Sequence, residues 1–259
     1  MRLRSTFAFL LCLLLFACGP STGAPDSRRA EAHNVTVFAA SSLADAFSKL
    51  GEVYEDHHPG ADVRFNFSAS DTLATQIAQG APADVFAAAS ETVMRKLPRS
   101  FFLRSPQLFA SNELVIIAPK ENAGRLTKPS DLGAQGLKLV LAAPGVPAGD
   151  YARQVLDNLG VRKQAENNVV SNEVDDKSVV SKVLFGDADA GIVYVTDLTS
   201  DVEPRLIHIK IPKSENVLAH YPIVALRDAP DVDGADQFVS LVLSPTGMKV
   251  LNDFGFGPP

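Results

Sequence analysis

Two short turns bring serine hydroxyls to places where anion chemistry is possible. Ala39-Ala40-Ser41-Ser42-Leu43 follows one apolar run, and Ser68-Ala69-Ser70-Asp71-Thr72 follows the next. Each turn opens an amphipathic segment, so its hydroxyls sit beside backbone N–H groups at a helix N-terminus. The first N–H groups of a helix lack helical partners, and the positive end of the helix dipole converges with them. Such a place suits a small oxyanion. The plainer role for either serine is to cap its own helix, and Asp45, three residues after Ser42, completes a capping-box-like arrangement. Paired serines also suit a secreted α/β enzyme, as nucleophile and helper. No histidine or lysine base neighbours them, and no His-Glu-x-x-His or Walker A pattern occurs. The histidines are scattered, and the His57-His58 pair beside Pro59 reads as solvent-exposed. Binding without catalysis is the expectation.

The elements that position these turns belong to an exported chain. Arg2 and Arg4 precede an apolar run from Phe7 to Phe16, followed by Ala17 and Cys18. A basic start, a short apolar stretch and a small residue describe a signal peptide over residues 1–17. The run falls short of the roughly 20 residues that a permanent membrane span needs. Leu15-Phe16-Ala17-Cys18 resembles a bacterial lipobox, with Phe16 bulkier than usual, and implies cleavage before Cys18 and lipid on its sulfur. Ordinary cleavage near Ala24-Pro25 is the alternative. Residues 18–33 are rich in Ser, Pro, Gly, Ala and charge and read as a flexible tether. With Cys12 in the leader and Cys18 the only other cysteine, the body has no disulfide and no cysteine metal site.

Of the 259 residues, 46% are apolar and 21% charged, enough for a soluble protein of two lobes. Losing the leader removes two arginines and no acid, which takes the formal charge from −6 to −8. An acidic body argues against nucleic acid as a partner. It also gives an anion no long-range help, so local dipoles must do the attracting.

Strand and helix patterns alternate from Asn34 onward. Val35 to Ala40, Val63 to Phe67 and Asp84 to Ala88 read as strands. Leu43, Ala46, Phe47, Leu50, Val53 and Tyr54 make one apolar helical stripe, and Leu73, Ala74, Ile77 and Ala78 another. Further strands are expected over Glu113 to Ala118, Lys138 to Ala142, Val169-Val170, Ala190 to Tyr194, Leu206 to Ile211 and Tyr221 to Leu226. Helices are expected after Glu91, through Tyr151 to Leu159, after Asp175-Asp176-Lys177, and over Asp233 to Leu243 and Pro245 to Phe254. The alternation implies an α/β protein with open, mostly parallel sheets covered by helices. Ligands of such sheets lie beyond the carboxyl ends of the strands.

Five segments, in order, resemble the molybdate-binding proteins of bacterial ABC importers. They are Val37-Phe38-Ala39-Ala40-Ser41-Ser42-Leu43, Phe67-Ser68-Ala69-Ser70-Asp71-Thr72-Leu73-Ala74, Gln79-Gly80-Ala81-Pro82-Ala83-Asp84-Val85-Phe86, Val146-Pro147-Ala148-Gly149 and Asp189-Ala190-Gly191-Ile192-Val193-Tyr194. The resemblance implies a type II periplasmic-binding-protein fold of two lobes joined by a two-strand hinge. Lobe one would hold residues 34–112 and 222–259, and lobe two residues 113–221. It implies an extracytoplasmic, lipid-anchored, monomeric carrier that delivers molybdate, and also tungstate, to a membrane permease. It implies no cofactor, no catalytic residue and no direct metal ligand, since molybdenum is held as its oxyanion. Carried over by motif, the binding residues are Ser42 and Ser70 through their hydroxyls, Ala148 and Asp176 through backbone N–H, and Tyr194 through its phenol. Another oxyanion, such as sulfate or phosphate, is the alternative ligand.

Two positions depart from the family pattern. Asp71 and Asp176 stand where a small or apolar residue is usual, and a carboxylate aimed at a dianion repels it. The expectation is that both turn outward; the alternative is that one enters the site. Neutral donors suit molybdate because it is fully deprotonated at neutral pH, so each oxygen needs a donor. At roughly 1.5–3 kcal/mol per hydrogen bond to a charged group, five donors less ordering and desolvation reach a Kd on the order of micromolar to nanomolar.

Overall fold

The computed structural model describes residues 33–122 and 125–259. The leader over residues 1–17, the lipidation site Cys18 and the tether before His33 lie outside the described residues. His33 itself is tied to the body, its Nδ1 lying 2.8 Å from Asp231 Oδ2.

In chain order the elements are β1 (Asn34–Ala40), α1 (Ala44–His57), β2 (Asp62–Ser68), α2 (Ser70–Ala78), β3 (Val85–Ala87), α3 (Glu91–Met94), β4 (Gln107–Asn112), β5 (Leu114–Pro119), β6 (Leu139–Ala142), α4 (Pro147–Asn158), α5 (Arg162–Asn168), β7 (Val169–Glu173), α6 (Asp176–Leu184), β8 (Ala190–Tyr194), β9 (Leu206–Lys210), β10 (Ala219–Ala225), α7 (Val232–Leu243) and α8 (Pro245–Asp253). They build two five-stranded sheets, ordered β2-β1-β3-β10-β4 and β7-β6-β8-β5-β9. In the first, β1 pairs parallel with β2 and β3, and β10 pairs antiparallel with β3 and β4. In the second, β6 pairs parallel with β7 and β8, and β5 antiparallel with β8 and β9. Each sheet is therefore mixed, with a single strand, β10 or β5, running against the rest.

These reversed strands are the ones that follow a crossing between sheets. The chain leaves the first sheet through Glu113 alone, between β4 and β5, and returns over residues 211–218 between β9 and β10. The return comes earlier than the expected boundary at Tyr221/Pro222. Ala219, His220 and Tyr221 already pair with Asn112, Ser111 and Ala110 of β4, and Pro222 sits inside the strand at a register shift. A proline is tolerated at such an irregularity because it has no ladder N–H to lose.

Period-two alternation sorts the first sheet's side chains between two cores. Val35, Val37 and Ala39 of β1 join Val85 and Ala87 of β3 in the core under α1, whereas Phe38 and Phe86 face α2 and α3 with Leu73, Ile77 and Met94. Phe47 of α1 packs edge-on to Phe65 and Phe238, with ring centroids 6.5 and 6.1 Å apart. Asp84, fully buried just before β3, accepts the Thr36 N–H at 2.7 Å and the Asp231 N–H at 2.8 Å. It thereby locks β1, β3 and the start of α7 together, a structural role for the acid of the Ala83-Asp84-Val85-Phe86 segment.

In the second sheet two glycines let helices approach closely. A Cβ on Gly149 would collide with the carbonyl oxygens of Ala142 and Ala143, so only glycine lets the first turn of α4 lie on the end of β6. A Cβ on Gly191 of β8 would lie 2.7 Å from Val179 Cγ1 of α6. The two contacts set how closely α4 and α6 lie against the sheet. No helix among the described residues is long and apolar enough to cross a membrane.

Candidate functional site

Four strand ends feed helix starts into one narrow space. The turn after β1 supplies Ala40, Ser41 and Ser42, and the start of α2 supplies Ala69 and Ser70. From the second sheet come Val146, Pro147 and Ala148 at the start of α4, Asp176 at the start of α6, and Tyr194 at the end of β8. All five residues expected at the site line this space together. Its volume of about 10 Å³ leaves room for about one water molecule.

Neither serine caps its helix. Ser41–Leu43 form a 3-10 turn ahead of α1, and no side chain accepts at that helix's cap. Ser42, only 4% exposed, instead shares a 3.0 Å hydrogen bond with Tyr221 Oη of β10. Asp45 lies in the first turn of α1 and meets Lys177 Nζ at 3.2 Å rather than closing a capping box. In α2 the cap position is Ala69, and Ser70 is the first helical residue. The Ser70 hydroxyl oxygen accepts the Ala89 N–H at 3.0 Å, which leaves its own proton to donate into the space. Tyr221 Oη also lies 3.4 Å from Asn112 Nδ2, and Asn112 Nδ2 donates to Thr196 Oγ1 at 2.8 Å. Polar groups from both sheets are thus linked beside the crossing at Glu113.

The second sheet's wall corrects one expectation. Asp176 does not turn outward: it is 3% exposed, and its Oδ1 accepts from Ser41 Oγ across the cleft. Its Oδ2 has no partner. Asp71 is not among the residues lining the space, but it does not turn fully outward either: half-buried in the first turn of α2, its Oδ1 is buried with no partner. Asp176 is the first helical residue of α6, the place that Ser70 holds in α2, and Asp71 stands one further on. Asp175 occupies the cap of α6 and accepts the Ser178 N–H at 2.8 Å, so the next side chain is turned inward along the helix start.

Asp176 is one of a pair. Asp197, in the turn after β8 and 1% exposed, accepts the Tyr194 N–H at 3.0 Å. Its Oδ1 faces Lys177 Nζ at 3.5 Å. Burial, then the nearness of Asp176, pushes the Asp197 carboxyl well above the usual range, and burial likewise raises Asp176. The two acids hold a proton between them more readily than either would alone. Burial works against the Lys177 ammonium, but Asp197, Asp45 and Asp176 outweigh it and keep the lysine charged. Burial raises the phenols of Tyr194 and Tyr221 far above their ordinary value, so both are neutral donors. Tyr194 Oη is buried with no partner, a donor waiting for an acceptor.

The chemistry open to this site is the binding of a group rich in acceptors. Hydroxyl protons from Ser42 and Ser70, the Tyr194 phenol and the first-turn N–H groups of α4 and α6 converge on it. Among the described residues no cluster of three or more His, Cys, Asp or Glu is placed to hold a metal ion. A wider surface depression of about 570 Å³ lies elsewhere, lined by Asp150, Arg153, Arg162 and Glu166. Its central cation is already engaged, since Arg153 donates to the carbonyls of Ala142 and Gly149 at 2.6 and 3.0 Å and pairs with Glu166 at 3.1 Å.

Sequence reasoning missed Asp197 and Tyr221. Asp197 carries a faint local signal, an acid three residues past Tyr194 and able to accept that residue's N–H. Tyr221 carries none, because a strand tyrosine looks the same whether its hydroxyl serves a core or a cleft.

Residues 35–257 match the family model described as bacterial extracellular solute-binding protein. The chain is 37% identical over 248 residues to the molybdate-binding protein ModA of Mycobacterium tuberculosis, covering 95% of this chain and 93% of that one. It is 29% identical to the putative ABC transporter substrate-binding lipoprotein YvgL of Bacillus subtilis, covering 94% and 93%. The fold is similar to the periplasmic molybdate-binding protein of Azotobacter vinelandii, with a TM-score of 0.77 at 22% identity, over 87% of this chain and 99% of that one.

Proposed function

Because the chain belongs to the bacterial extracellular solute-binding protein family, whose members are transport components and not enzymes, we propose that it captures molybdate, and tungstate with it, for a membrane permease of the ABC importer class. One observation carries the ligand: five donors from two sheets, Ser42, Ser70, Ala148, Asp176 and Tyr194, line a single narrow space in which the Tyr194 hydroxyl has no partner. The relatives' names point the same way.

Capture follows from what the donors can do. The space has room for about one water, less than a tetrahedral oxyanion needs. The anion therefore enters when the lobes part, residues 34–112 and 219–259 on one side and 113–210 on the other, with the crossings at Glu113 and residues 211–218 as the hinge. Parting breaks the Ser41–Asp176 hydrogen bond and the Lys177–Asp45 pair. Closing over the anion replaces water by fixed hydroxyls and helix-start N–H groups, so the ligand favours the closed form by its extra contacts there. The protein acts as a monomer, held at the outer face of the membrane by lipid on Cys18. A lipoprotein among the relatives supports the anchor, and Cys18→Ser should move the protein from the membrane fraction to the soluble one.

A thermal-shift panel tests the ligand. With about 1 mM molybdate and a Kd near 1 µM, native-state binding adds about 4 kcal/mol, or a rise on the order of 10 °C in Tm. Tungstate should give a comparable rise. A shift with sulfate or phosphate and none with molybdate assigns the site to another oxyanion.

A further inference from the structure

The capture reading uses the backbone of Asp176 and leaves its side chain unexplained, yet that side chain is what the cleft has buried. Asp176 Oδ1 takes the Ser41 hydroxyl, while Oδ2, with no partner, belongs to a residue lining the space that the anion would fill. Around it stand Lys177 on its own helix, Asp197 after β8, Tyr194 from β8 and Tyr221 from β10, with Asp45 from α1 beside Lys177 and Tyr151 from α4 beside Tyr194. The three tyrosines are held neutral by burial. Before any ligand arrives, one ammonium therefore faces the Asp45 carboxylate and an Asp176–Asp197 pair that already competes for a proton.

A dianion adds two further negative charges and presents only acceptors. A carboxylate oxygen beside it is both repelled and unmatched, and both penalties grow as closure excludes water. A carboxylic acid in the same place is a donor. Resting on the oxyanion reading of this site, we propose that Asp176 enters the closed, loaded cleft as the neutral acid, so that capture of each dianion takes up one proton from solvent and adds the Asp176 O–H to the donor set. The balance is simple: the carboxylate of the open form gains a proton from water or buffer, and release of the anion returns it.

The direction of the pH dependence follows. Open and solvated, Asp176 lies in the ordinary carboxylate range; closed, burial raises it. The proton therefore favours the closed complex fully below the open-form value, and that advantage is lost as pH rises through the closed-form value. Between the two, affinity falls about tenfold per pH unit.

Calorimetric titration of the mature protein with sodium molybdate reads this directly, since molybdate stays deprotonated between about pH 6 and pH 8. At pH near 7, heats in two buffers of different ionisation enthalpy should differ by the uptake of up to about one proton per molybdate. Across the range, Kd should rise with pH, by up to about tenfold per unit. Asp176→Asn, an amide that donates without titrating, should show neither effect and should bind more tightly than the unaltered protein at the alkaline end. Asp176→Val, also without a proton to exchange, serves if the amide variant fails to fold. Molybdate binding with no proton exchange overturns this proposal and leaves molybdate capture standing. A pH slope retained in the variants assigns the proton elsewhere and also overturns it. No molybdate heat at any pH overturns both.

Discussion

The wall of the cleft on the first sheet and the wall on the second are made by the same device, a strand end running into a helix start, and they carry different chemistry. Ser41, Ser42 and Ser70 on the first are uncharged, and Ser42 and Ser70 are oriented by Tyr221 Oη and the Ala89 N–H. On the second, Asp176 and Asp197 are buried against one lysine, beside the unpartnered Tyr194 hydroxyl. The first wall can present donors at any pH. The second must first settle where its protons are. An anion that needs donors from both walls is thus bound by a site only half of which is fixed in advance.

Removing the fixed half should do the most damage. Ser42→Ala with Ser70→Ala deletes two charge-assisted hydrogen bonds, a loss of about 3–6 kcal/mol, and calorimetry should find molybdate affinity weakened by at least about a hundredfold. Retained affinity in the double variant would break the comparison outright. On the second wall, Tyr194→Phe should weaken molybdate binding about tenfold, the cost of one neutral donor to an anion. Its melting temperature should hold or rise, because it removes a buried hydroxyl that has no partner in the empty protein.

Lys177→Gln sharpens the contrast through stability. Without the ammonium the two acids rise further, and the native state binds more protons than the unfolded chain over a wider range. Stability is then intact below the ordinary carboxylate range and falls as pH rises, more steeply than in the unaltered protein. The expected loss near pH 7 is about 1–2 kcal/mol, discounted from the fully buried case because Lys177 is 35% exposed. Thermal melts from about pH 5 to pH 8 read it. The smallest effect belongs to Asp45→Asn, which removes a 3.2 Å pair with Lys177 from a half-exposed carboxylate. It should change affinity less than about threefold and vanish in high salt.

The legible parts of the molecule were those whose pattern is local. The apolar stripe of α1 and the alternation of β1 and β2 specify both elements, and the order of motifs along the chain brought Ser42, Ser70, Ala148, Asp176 and Tyr194 to one place. Two elements escaped. β4 begins with exposed Gln107 and Leu108 and runs to within one residue of β5, so no break marked it off. In α5, Ala165 and Asn168 are the only buried residues, too few for an apolar stripe. At the site, a 3-10 turn moved the start of α1 past Ser42 and freed the hydroxyl from capping. The inward turn of Asp176 and its meeting with Asp197 were hidden for a different reason. The two acids lie 21 positions apart, and only the packing of α6 on β8 joins them.

The central claim is that uncharged donors from both sheets, and no cationic side chain, hold the anion. A structure of the protein with molybdate bound tests it most directly. The account predicts oxygens within about 3 Å of the Ser42, Ser70 and Tyr194 hydroxyls and of the Ala148 and Asp176 N–H groups. Molybdate seated on the Lys177 ammonium, or on Arg153 at the outer depression, with the serine hydroxyls empty, would contradict it.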